Sequence, residues 1–381
     1  MYDEDNGSNL MNLKRMFKDL NWRRIESTRA LKLFIQRKRY KAHKTLVSAD
    51  KLKKCRKILI FMGNSGFGDA IVVTGAIKAL KDKGFEVTVL VEKRLFILFK
   101  ESKLVDRILV IKNRKKLSTE IFDEKGRNGQ YDLLIDFCQG PYLIDNLICL
   151  NLYKIFKPKY LAGFNDVFNI FDIPIEYDCE KTHFSKRFDA FFAAVGISDY
   201  KIKYTVDIPA KYVAEAEAFL EQFRGEKIVC LNPFASTKNR DFSLEQIAGI
   251  ANHLSKKENV RIILIGEPYQ LQRLKNIKLP GCTVINKLSN FYYAAYIVKK
   301  ADLIISTDTA IVHLANAYDK KLICLYNNRI LAGGANNNFV WAPNYDNAIQ
   351  LFTKGEKETL EGDCVSDFDI SDIITNIDSC L

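Results

Sequence analysis

The sequence predicts an α/β protein made of two similar domains, because short apolar runs alternate with helical patterns in both halves of the chain. Ile58–Met62 is wholly apolar and Val87–Val91 nearly so, as expected for strands buried on both faces of a parallel sheet. The same order begins again after Lys227, with Ile228–Leu231 as its first apolar run. Two such halves predict twin Rossmann-like domains, with a shared ligand site at the carboxyl ends of their strands.

The elements of the first half follow from these runs. A glycine-rich break after the first strand leads into a helical pattern from Asp69 to about Lys83, and strand Val87–Val91 completes a strand–helix–strand unit. Further candidate strands are Leu133–Ile135 and Tyr160–Phe164.

The second half repeats the alternation. Its predicted strands are Ile228–Leu231, Arg261–Ile265, Leu303–Ser306 and Leu322–Tyr326. Its predicted helices are Ser243–Lys256, Gln270–Lys275, Asn290–Lys300 and Thr309–Tyr318. The helical segment Ala210–Phe223 is a plausible connector between the halves. We therefore expect an arm over residues 1–56 and domains over residues 57–205 and 206–381.

The positive charge of the chain is concentrated at its start. The 381 residues carry a formal charge of +12, and residues 1–57 hold 17 Lys and Arg against 6 Asp and Glu. Residues 10–45 contain neither Gly nor Pro and predict one or two helices, with Phe17, Leu20, Leu31 and Phe34 at helical spacing. Such an arm suits an anionic partner, either nucleic acid or an acidic membrane surface. The alternative is a basic helical arm that packs on the body.

The cysteines and the apolar segments indicate a cytosolic protein. Nine cysteines are scattered without a C-x-x-C pair, which favours reduced thiols over a disulfide framework or a zinc site. No stretch has the length of about 18–20 apolar residues that a membrane span needs. The first ten residues are acidic and polar, unlike a secretory signal.

The first motif that carries chemistry lies between strand and helix and contains Gly63, Gly66 and Gly68, followed by Asp69. Glycines allow a tight turn and leave room for a ligand, and a helix start favours anions. A carboxylate at that position is stabilised in its charged form and is therefore a ready proton acceptor. The alternative is that Asp69 only caps its helix.

Two further motifs follow strands of the second half. Residues 232–240 place the cations Lys238 and Arg240 in a loop, where Lys and Arg side chains can bind phosphate groups. The alternative is that this loop is simply a solvated surface loop. Asp308 and Thr309 open a helix and offer donors toward a diphosphate, and His313 lies about one turn farther on. A lone helical histidine is more often a packing residue than a ligand.

These three motifs stand in the order and spacing of the lipopolysaccharide heptosyltransferases, and the sequence resembles that family over residues 57–330. The family is glycosyltransferase family 9, which has the GT-B fold of two Rossmann-like domains facing across a cleft. The most specific part of the resemblance is the segment from Asp308 through His313 to Ala315.

The resemblance implies roles for individual residues. Asp69 is similar to the general base of the family, on an acceptor-side loop that contains Gly66 and Gly68. Donor binding is implied for Lys238, Arg240, Glu267, Asp308, Thr309, Ala310 and His313. Ala310 replaces the usual glycine and crowds the approach of a diphosphate, and Phe242-Ser243 replaces a usual Trp-Pro, so these departures bear on which donor is used.

The reaction implied is inverting transfer of heptose from ADP-heptose to the Kdo inner core of lipopolysaccharide, without metal or cofactor. The acceptor would be Kdo–lipid A, and residues 10–57 would hold the enzyme on the anionic inner face of the inner membrane; nucleic acid is not expected as a partner. One alternative is a same-fold transferase that uses a hexose or N-acetylhexosamine donor. Another is a non-catalytic nucleotide-sugar or glycolipid binding protein.

Overall fold

The computed structural model describes most of the chain, with short gaps. The described residues are 4–40, 47, 52, 54–63, 65–111, 130–140, 142–178, 181–288, 290–331, 334–355 and 359–381. The remainder of the predicted arm, residues 1–3, 41–46, 48–51 and 53, lies outside this description, as does Cys179.

Residues of the first half form a six-stranded sheet in which all neighbours run parallel. Its strands are β1 Lys57–Met62, β2 Glu86–Glu92, β3 Arg107–Ile111, β4 Leu133–Asp136, β5 Tyr160–Phe164 and β6 Ile173–Ile175. The spatial order is β3-β2-β1-β4-β5-β6, the doubly wound order of a Rossmann-like domain. The helices of this half are α1 Glu4–Tyr40, α2 Phe67–Asp82, α3 Phe96–Phe99, α4 Leu143–Phe156 and α5 Lys186–Ala194.

The second half builds a second parallel sheet with the same winding. Its strands are β7 Lys227–Asn232, β8 Val260–Leu264, β9 Thr283–Ile285, β10 Leu303–Thr307, β11 Leu322–Tyr326 and β12 Ala348–Phe352. The order is β12-β11-β10-β7-β8-β9, which repeats the first sheet strand for strand. The helices are α6 Ala210–Leu220, α7 Leu244–Leu254, α8 Pro268–Leu271, α9 Phe291–Lys300, α10 Ala310–Ala317, α11 Asn337–Val340 and α12 Ser371–Cys380.

Burial on both faces explains why the central strands are apolar throughout. In β1, Ile58 and Ile60 belong to one apolar cluster, whereas Leu59 and Phe61 belong to another on the opposite face. Successive side chains of a strand point to opposite faces, so both faces must be apolar when helices cover both. The predicted α/β fold of two parallel sheets is confirmed.

The arm contains one long helix, α1, whose second half packs on the body. Leu33 is buried in the same apolar cluster as Leu147 and Leu150 of α4. The Lys154 ammonium of α4 lies 5.7 Å from the centre of the Tyr40 ring. Packing on the body, one of the two alternatives for the arm, is therefore observed for this half of α1.

Aromatic side chains connect the two halves of the molecule around the cleft. Phe67 stacks on Phe291 with ring centres 5.1 Å apart, and Phe184 stacks on Trp341 at 4.3 Å. The Phe184 N–H also donates to the Val340 carbonyl oxygen at 2.9 Å. These contacts hold the carboxyl ends of the two sheets near each other.

Candidate functional site

The predicted motifs lie at the point in each sheet where the strand order reverses. The loop from Gly63 to Asp69 follows β1, next to β4, and the loop from Pro233 to Arg240 follows β7, next to β10. Asp308 comes directly after β10. In doubly wound sheets this reversal opens a crevice between adjacent loops, which is where ligands bind.

Asp69 occupies the third position of α2 and caps its start. Its Oδ2 accepts a hydrogen bond of 2.7 Å from the Gly66 N–H, so the capping alternative describes a real contact. The side chain is half-buried, and the nearby charges include Arg94 on its own side of the cleft and Asp308 and Arg329 on the other. Capping and facing the cleft are therefore both properties of this carboxylate.

Burial raises the pKa of Asp69 above its ordinary value. The Gly66 N–H and the charges of Arg94 and Arg329 lower this pKa, whereas the charge of Asp308 raises it, and burial prevails. The expectation that the helix start stabilises the charged form is therefore outweighed. A carboxylate with a raised pKa is a stronger proton acceptor when it is ionised.

Arg240 and Asp308 form a buried ion pair on the donor side. The Arg240 Nη1 lies 2.8 Å from Asp308 Oδ2, and both side chains are less than 10% exposed. The same guanidinium donates to the Asp308 carbonyl oxygen, to Ser236 Oγ and to Thr237 Oγ1. Arg240 therefore fixes the β7 loop to the β10 loop, and much of its hydrogen-bonding capacity is already used.

Arg329, from the segment after β11, adds a second cation that sequence reasoning missed. Its Nε lies 3.8 Å from Asp308 Oδ2, and its Nη2 donates to Asn337 Oδ1 at 2.5 Å. Asn337 in turn donates to Asp308 Oδ2 at 2.9 Å. Arg329 Nε is buried without a hydrogen-bond partner in the described part of the chain. This guanidinium thus has hydrogen-bonding capacity left for a ligand.

Thr309 is the N-cap of α10, as its predicted place at the helix start suggests. Its hydroxyl accepts a hydrogen bond from the Ile311 N–H and another, of 2.9 Å, from the Asn232 side-chain amide. Asn232 also donates to Ser306 Oγ at 3.0 Å. The amide therefore positions the start of α10 relative to the end of β7.

The helix starts of α2 and α10 meet at Gly68. A Cβ atom at Gly68 would lie 3.0 Å from His313 Cδ2 and 3.6 Å from the Cα of Ala310. Gly68 therefore permits a close approach of the two halves. His313 is buried between the Tyr204 and Trp341 rings, and burial lowers its pKa to about 4, so its imidazole is neutral at neutral pH.

Lys238 and Glu267 lie on the surface near the same sheet edge. Both side chains are exposed, and neither forms a hydrogen bond or ion pair with the Arg240–Asp308 pair. Glu267 precedes α8, where its N–H donates a hydrogen bond to the Gln270 side-chain oxygen. The structure thus brings together Asp69, Arg240, Asp308, Thr309, Ala310 and His313, and leaves Lys238 and Glu267 outside that cluster.

Comparison with known proteins assigns the chain to a family. The sequence profile of glycosyltransferase family 9 (heptosyltransferase) matches residues 158–352, just over half of the chain. The chain belongs to glycosyltransferase family 9. A relative in Escherichia coli K12 named "Putative lipopolysaccharide heptosyltransferase 4" is 26% identical to this family member over 320 residues, 82% of this chain and 85% of that protein.

Two solved structures share the fold of this glycosyltransferase family 9 chain. A glycosyl transferase family 9 protein from Veillonella parvula aligns with a TM-score of 0.67 at 14% identity, covering 85% of this chain and 97% of that one. The ADP-heptose lipopolysaccharide heptosyltransferase II of E. coli aligns at 0.65 and 13% identity, covering 85% and 98%. The family and the GT-B fold predicted from the three motifs are confirmed.

Three features of this family member bear on ions and membranes. Within the described ranges, no group of three or more His, Cys, Asp or Glu side chains is arranged to hold a metal ion. The eight cysteines in those ranges are free thiols. None of the described helices combines the length and the apolar character that crossing a bilayer requires.

Arg94 and Arg329 are the cations of the site that the motifs did not reveal. Arg94 follows β2 and donates to the Ser65 carbonyl oxygen at 2.9 Å, and its charge lowers the pKa of Asp69. In the sequence, both residues share one feature that could have indicated them: each is a cation three positions after a predicted strand. Arg94 follows Val87–Val91, and Arg329 follows Leu322–Tyr326. Cations in that position are common on surfaces, so the signal becomes specific only when the loops are brought together.

Proposed function

We propose that this protein transfers heptose from ADP-heptose to the Kdo inner core of lipopolysaccharide or lipooligosaccharide with inversion at the anomeric carbon. The observation that carries the proposal is the carboxylate of Asp69, which lies near Asp308 and Arg329 across the cleft of a family 9 fold. Heptosyltransferase II of E. coli, one of the two solved structures with the same fold, is named as an ADP-heptose lipopolysaccharide heptosyltransferase, which supports this donor.

Asp69 is the proposed general base. It takes the proton of the acceptor hydroxyl as that oxygen attacks the anomeric carbon of the donor from the side opposite the diphosphate. The bond from the anomeric carbon to the diphosphate oxygen breaks at the same time, so one inversion results. General-base assistance of this kind contributes about 10²–10⁴-fold in rate.

The donor side is proposed to stabilise the negative charge that grows on the departing ADP. Arg329 has free hydrogen-bonding capacity, and the start of α10 at Thr309 and Ala310 offers backbone N–H groups. Arg240 acts mainly by holding Asp308 in place, and Lys238 reaches the phosphates from the loop surface. Preorganised donors aimed at developing charge are worth about 10²–10³-fold each.

Ribose and sugar binding complete the proposed donor site. Glu267, which is exposed after β8, is the residue that we propose accepts hydrogen bonds from the ribose hydroxyls. Asp308 is proposed to accept hydrogen bonds from sugar hydroxyls, and the neutral His313 lies against Gly68 where the two halves meet. A neutral imidazole is favoured at the contact between the two halves of the molecule, because burying a charged one there would cost free energy.

The acceptor, Kdo–lipid A, is anionic and embedded in a membrane. Arg94 on the acceptor side is half-exposed near Asp69, where a cation would attract the carboxylate of Kdo. We propose that the basic residues 10–57 hold the enzyme at the anionic inner face of the inner membrane, beside this acceptor. The protein would then be cytoplasmic and peripheral.

Calorimetric binding of ADP, UDP and GDP tests the donor. We expect ADP to bind most tightly, and Arg329→Gln to weaken ADP binding by about tenfold or more, because it removes a partly desolvated phosphate contact. Lys238→Gln is the matched control: it removes an exposed cation of the same site edge and should weaken binding less. Arg240→Ala is less informative, since it leaves Asp308 buried and unpaired.

One result of this binding measurement, and one result of a transfer assay, would change the proposal. Preference for UDP or GDP would favour a same-fold transferase with another donor sugar, the alternative suggested by Ala310 at the crowded start of α10. Equal transfer with and without EDTA is expected for a metal-independent reaction, whereas loss restored only by Mg²⁺ or Mn²⁺ would show that a metal is required.

A further inference from the structure

Helix α1 exposes several large apolar side chains to solvent. Phe17, Leu20, Leu31, Phe34 and Ile35 are each between 53% and 61% exposed. Large apolar side chains scattered singly on a surface need no explanation, but a contiguous group of them marks an interaction site. Phe17 with Leu20, and Leu31 with Phe34 and Ile35, form two such groups on one side of the same helix, eleven positions apart. These five residues are hereafter called the apolar face.

Helical geometry shows that the apolar face points away from the body. Successive residues of an α-helix are about 100° apart, so spacings of three and eleven residues keep side chains on one side. Phe17, Leu20, Leu31 and Phe34 have these spacings. Leu33, which is buried against α4, lies roughly opposite to them. The second half of the helix therefore packs on the protein with one side, and the apolar face lies on the other. Trp22 is on the same side as Leu33 but precedes the packed part and is 59% exposed.

Positive charge surrounds the apolar face. Between residues 20 and 40 the only acidic side chain is Glu26, which is paired with Arg29. The same stretch carries seven cations, Arg23, Arg24, Arg29, Lys32, Arg37, Lys38 and Arg39. The Lys38 ammonium lies 4.6 Å from the centre of the Phe34 ring, so charge and apolar surface are adjacent.

This combination fits an anionic lipid surface better than another macromolecule. A second copy of α1 would bring two strongly positive faces together, which is unfavourable. Nucleic acid would use the cations but would leave five large apolar side chains in water. A bilayer interface accepts both, because phosphates contact the cations while apolar side chains enter the acyl region.

We propose that α1 lies in the plane of an anionic membrane and inserts the apolar face among the acyl chains. The inference deepens the proposed membrane association, which rested on charge alone, by naming the inserted side chains. Because Leu33 joins α1 to α4, the inserted helix anchors the half of the molecule that carries Asp69. The half that carries Asp308 has no such contact with α1 in the described residues.

Tryptophan fluorescence distinguishes the two sides of α1. The chain has two tryptophans, Trp22 and Trp341, and Trp22 is nine residues from Leu31, half a turn out of phase with it. One variant carries F34W with both native tryptophans changed to Phe; its matched control retains only Trp22. Each is mixed with vesicles of phosphatidylcholine alone or with about a quarter phosphatidylglycerol.

We expect the F34W probe to shift to the blue and to be quenched by brominated lipids in the anionic vesicles, and the Trp22 probe to change little. F17S/L31S, which removes two apolar side chains, should reduce vesicle binding by at least about tenfold. Added salt, which screens the cations, should weaken wild-type binding without abolishing it. An unshifted F34W probe, equal shifts for both probes, or a shift without vesicles that grows with protein concentration would overturn the proposal.

A soluble acceptor separates this inference from the proposed reaction. Transfer to a water-soluble Kdo acceptor should be the same for wild type and F17S/L31S, since neither side chain lies in the cleft. Loss of vesicle binding with normal soluble transfer would support insertion by α1. Absence of transfer in both proteins would refute the proposed reaction and leave the vesicle result to be judged separately.

Discussion

Asp69 combines an observed structural contact with a proposed chemical role at one position. It caps α2 through the Gly66 N–H, and burial in the cleft raises its pKa. The raised pKa means that at neutral pH the folded protein holds a charged carboxylate in an unfavourable place. This contribution favours folding when the group is protonated, and it is lost as the pH rises through the pKa of the folded state.

Asp69→Asn should therefore lose activity and gain stability. We expect kcat to fall by about 10²–10⁴-fold, and the Tm near pH 8 to rise by roughly one to three degrees, because the amide keeps the cap without the buried charge. The gain should shrink as the pH falls and vanish at about pH 3, below the ordinary Asp pKa of 3.8, where Asp69 is protonated in both states. In the wild type, kcat/KM should fall on the acid side at a pH above the ordinary range of Asp. Thermal unfolding at both pH values and a pH–rate profile measure this.

Asp106→Asn is a control in which the expected change in stability has the opposite sign. Burial raises the pKa of Asp106, but hydrogen bonds from Lys81 and Val87 outweigh it and leave that pKa lowered. This variant should lose stability near pH 8 and keep activity. A lower Tm for Asp69→Asn at pH 8, or unchanged activity, would contradict the account of Asp69.

The individual site residues were predictable only where a motif contained them. Asp69 and Asp308 follow apolar runs and open helices, so their places at strand ends could be inferred. The buried pairing of Arg240 with Asp308 joins residues 68 positions apart, and no local pattern specifies that contact. Arg329 stands in an irregular segment, where neither strand nor helix spacing indicates a direction for its side chain.

At the scale of elements, the site depends on two helix starts that nearly touch. The start of α2 carries Gly68, and the start of α10 carries Ala310 and His313. Glycine was expected to leave room for a ligand, but at Gly68 the space is filled by the opposite half of the molecule. Gly66 lies in more open surroundings, where a Cβ would find its nearest neighbour, Asp69 Oδ2, at 3.6 Å.

Gly68→Ala and Gly66→Ala form a matched pair. The added methyl at Gly68 would lie 3.0 Å from His313 Cδ2, so the imidazole or the start of α10 has to move by a few tenths of an ångström. Small displacements of reacting groups are costly, so kcat/KM should fall by about ten- to a hundredfold, while ADP binding by the donor half changes little. Gly66→Ala should stay near wild type. Steady-state kinetics measure both, and equal effects of the two substitutions would contradict a specific role for Gly68.

The elements that the sequence revealed are the central ones. Strands β1, β7, β10 and β11 are buried on both faces and read as continuous apolar runs. The edge strands β9 and β12 are only partly buried, so their sequences mix polar and apolar residues and were not predicted. Gln270–Lys275 is also different from the predicted helix: α8 ends at Leu271 and a 3₁₀ segment follows, Gln272–Asn276.

At the scale of the whole molecule, two sheets of identical strand order face each other across one cleft, and a basic helix is attached to one of them. The repeated winding was predictable because the alternation of runs and helices restarts near Lys227. The packing of α1 was not predictable from the sequence, because its cations and apolar residues occur on all sides of the helix. Only the contact with α4 decides which side is exposed.

The central claim is that this cleft transfers heptose with Asp69 as the base, and the most direct measurement is mass spectrometry of Kdo–lipid A after incubation with ADP-heptose. We expect one heptose to be added by the wild type and at least about a hundredfold less by Asp69→Asn, which should still bind ADP-heptose. Transfer by Asp69→Asn at the wild-type rate would contradict the role of Asp69. No transfer by a folded wild type that binds ADP-heptose would contradict the reaction itself.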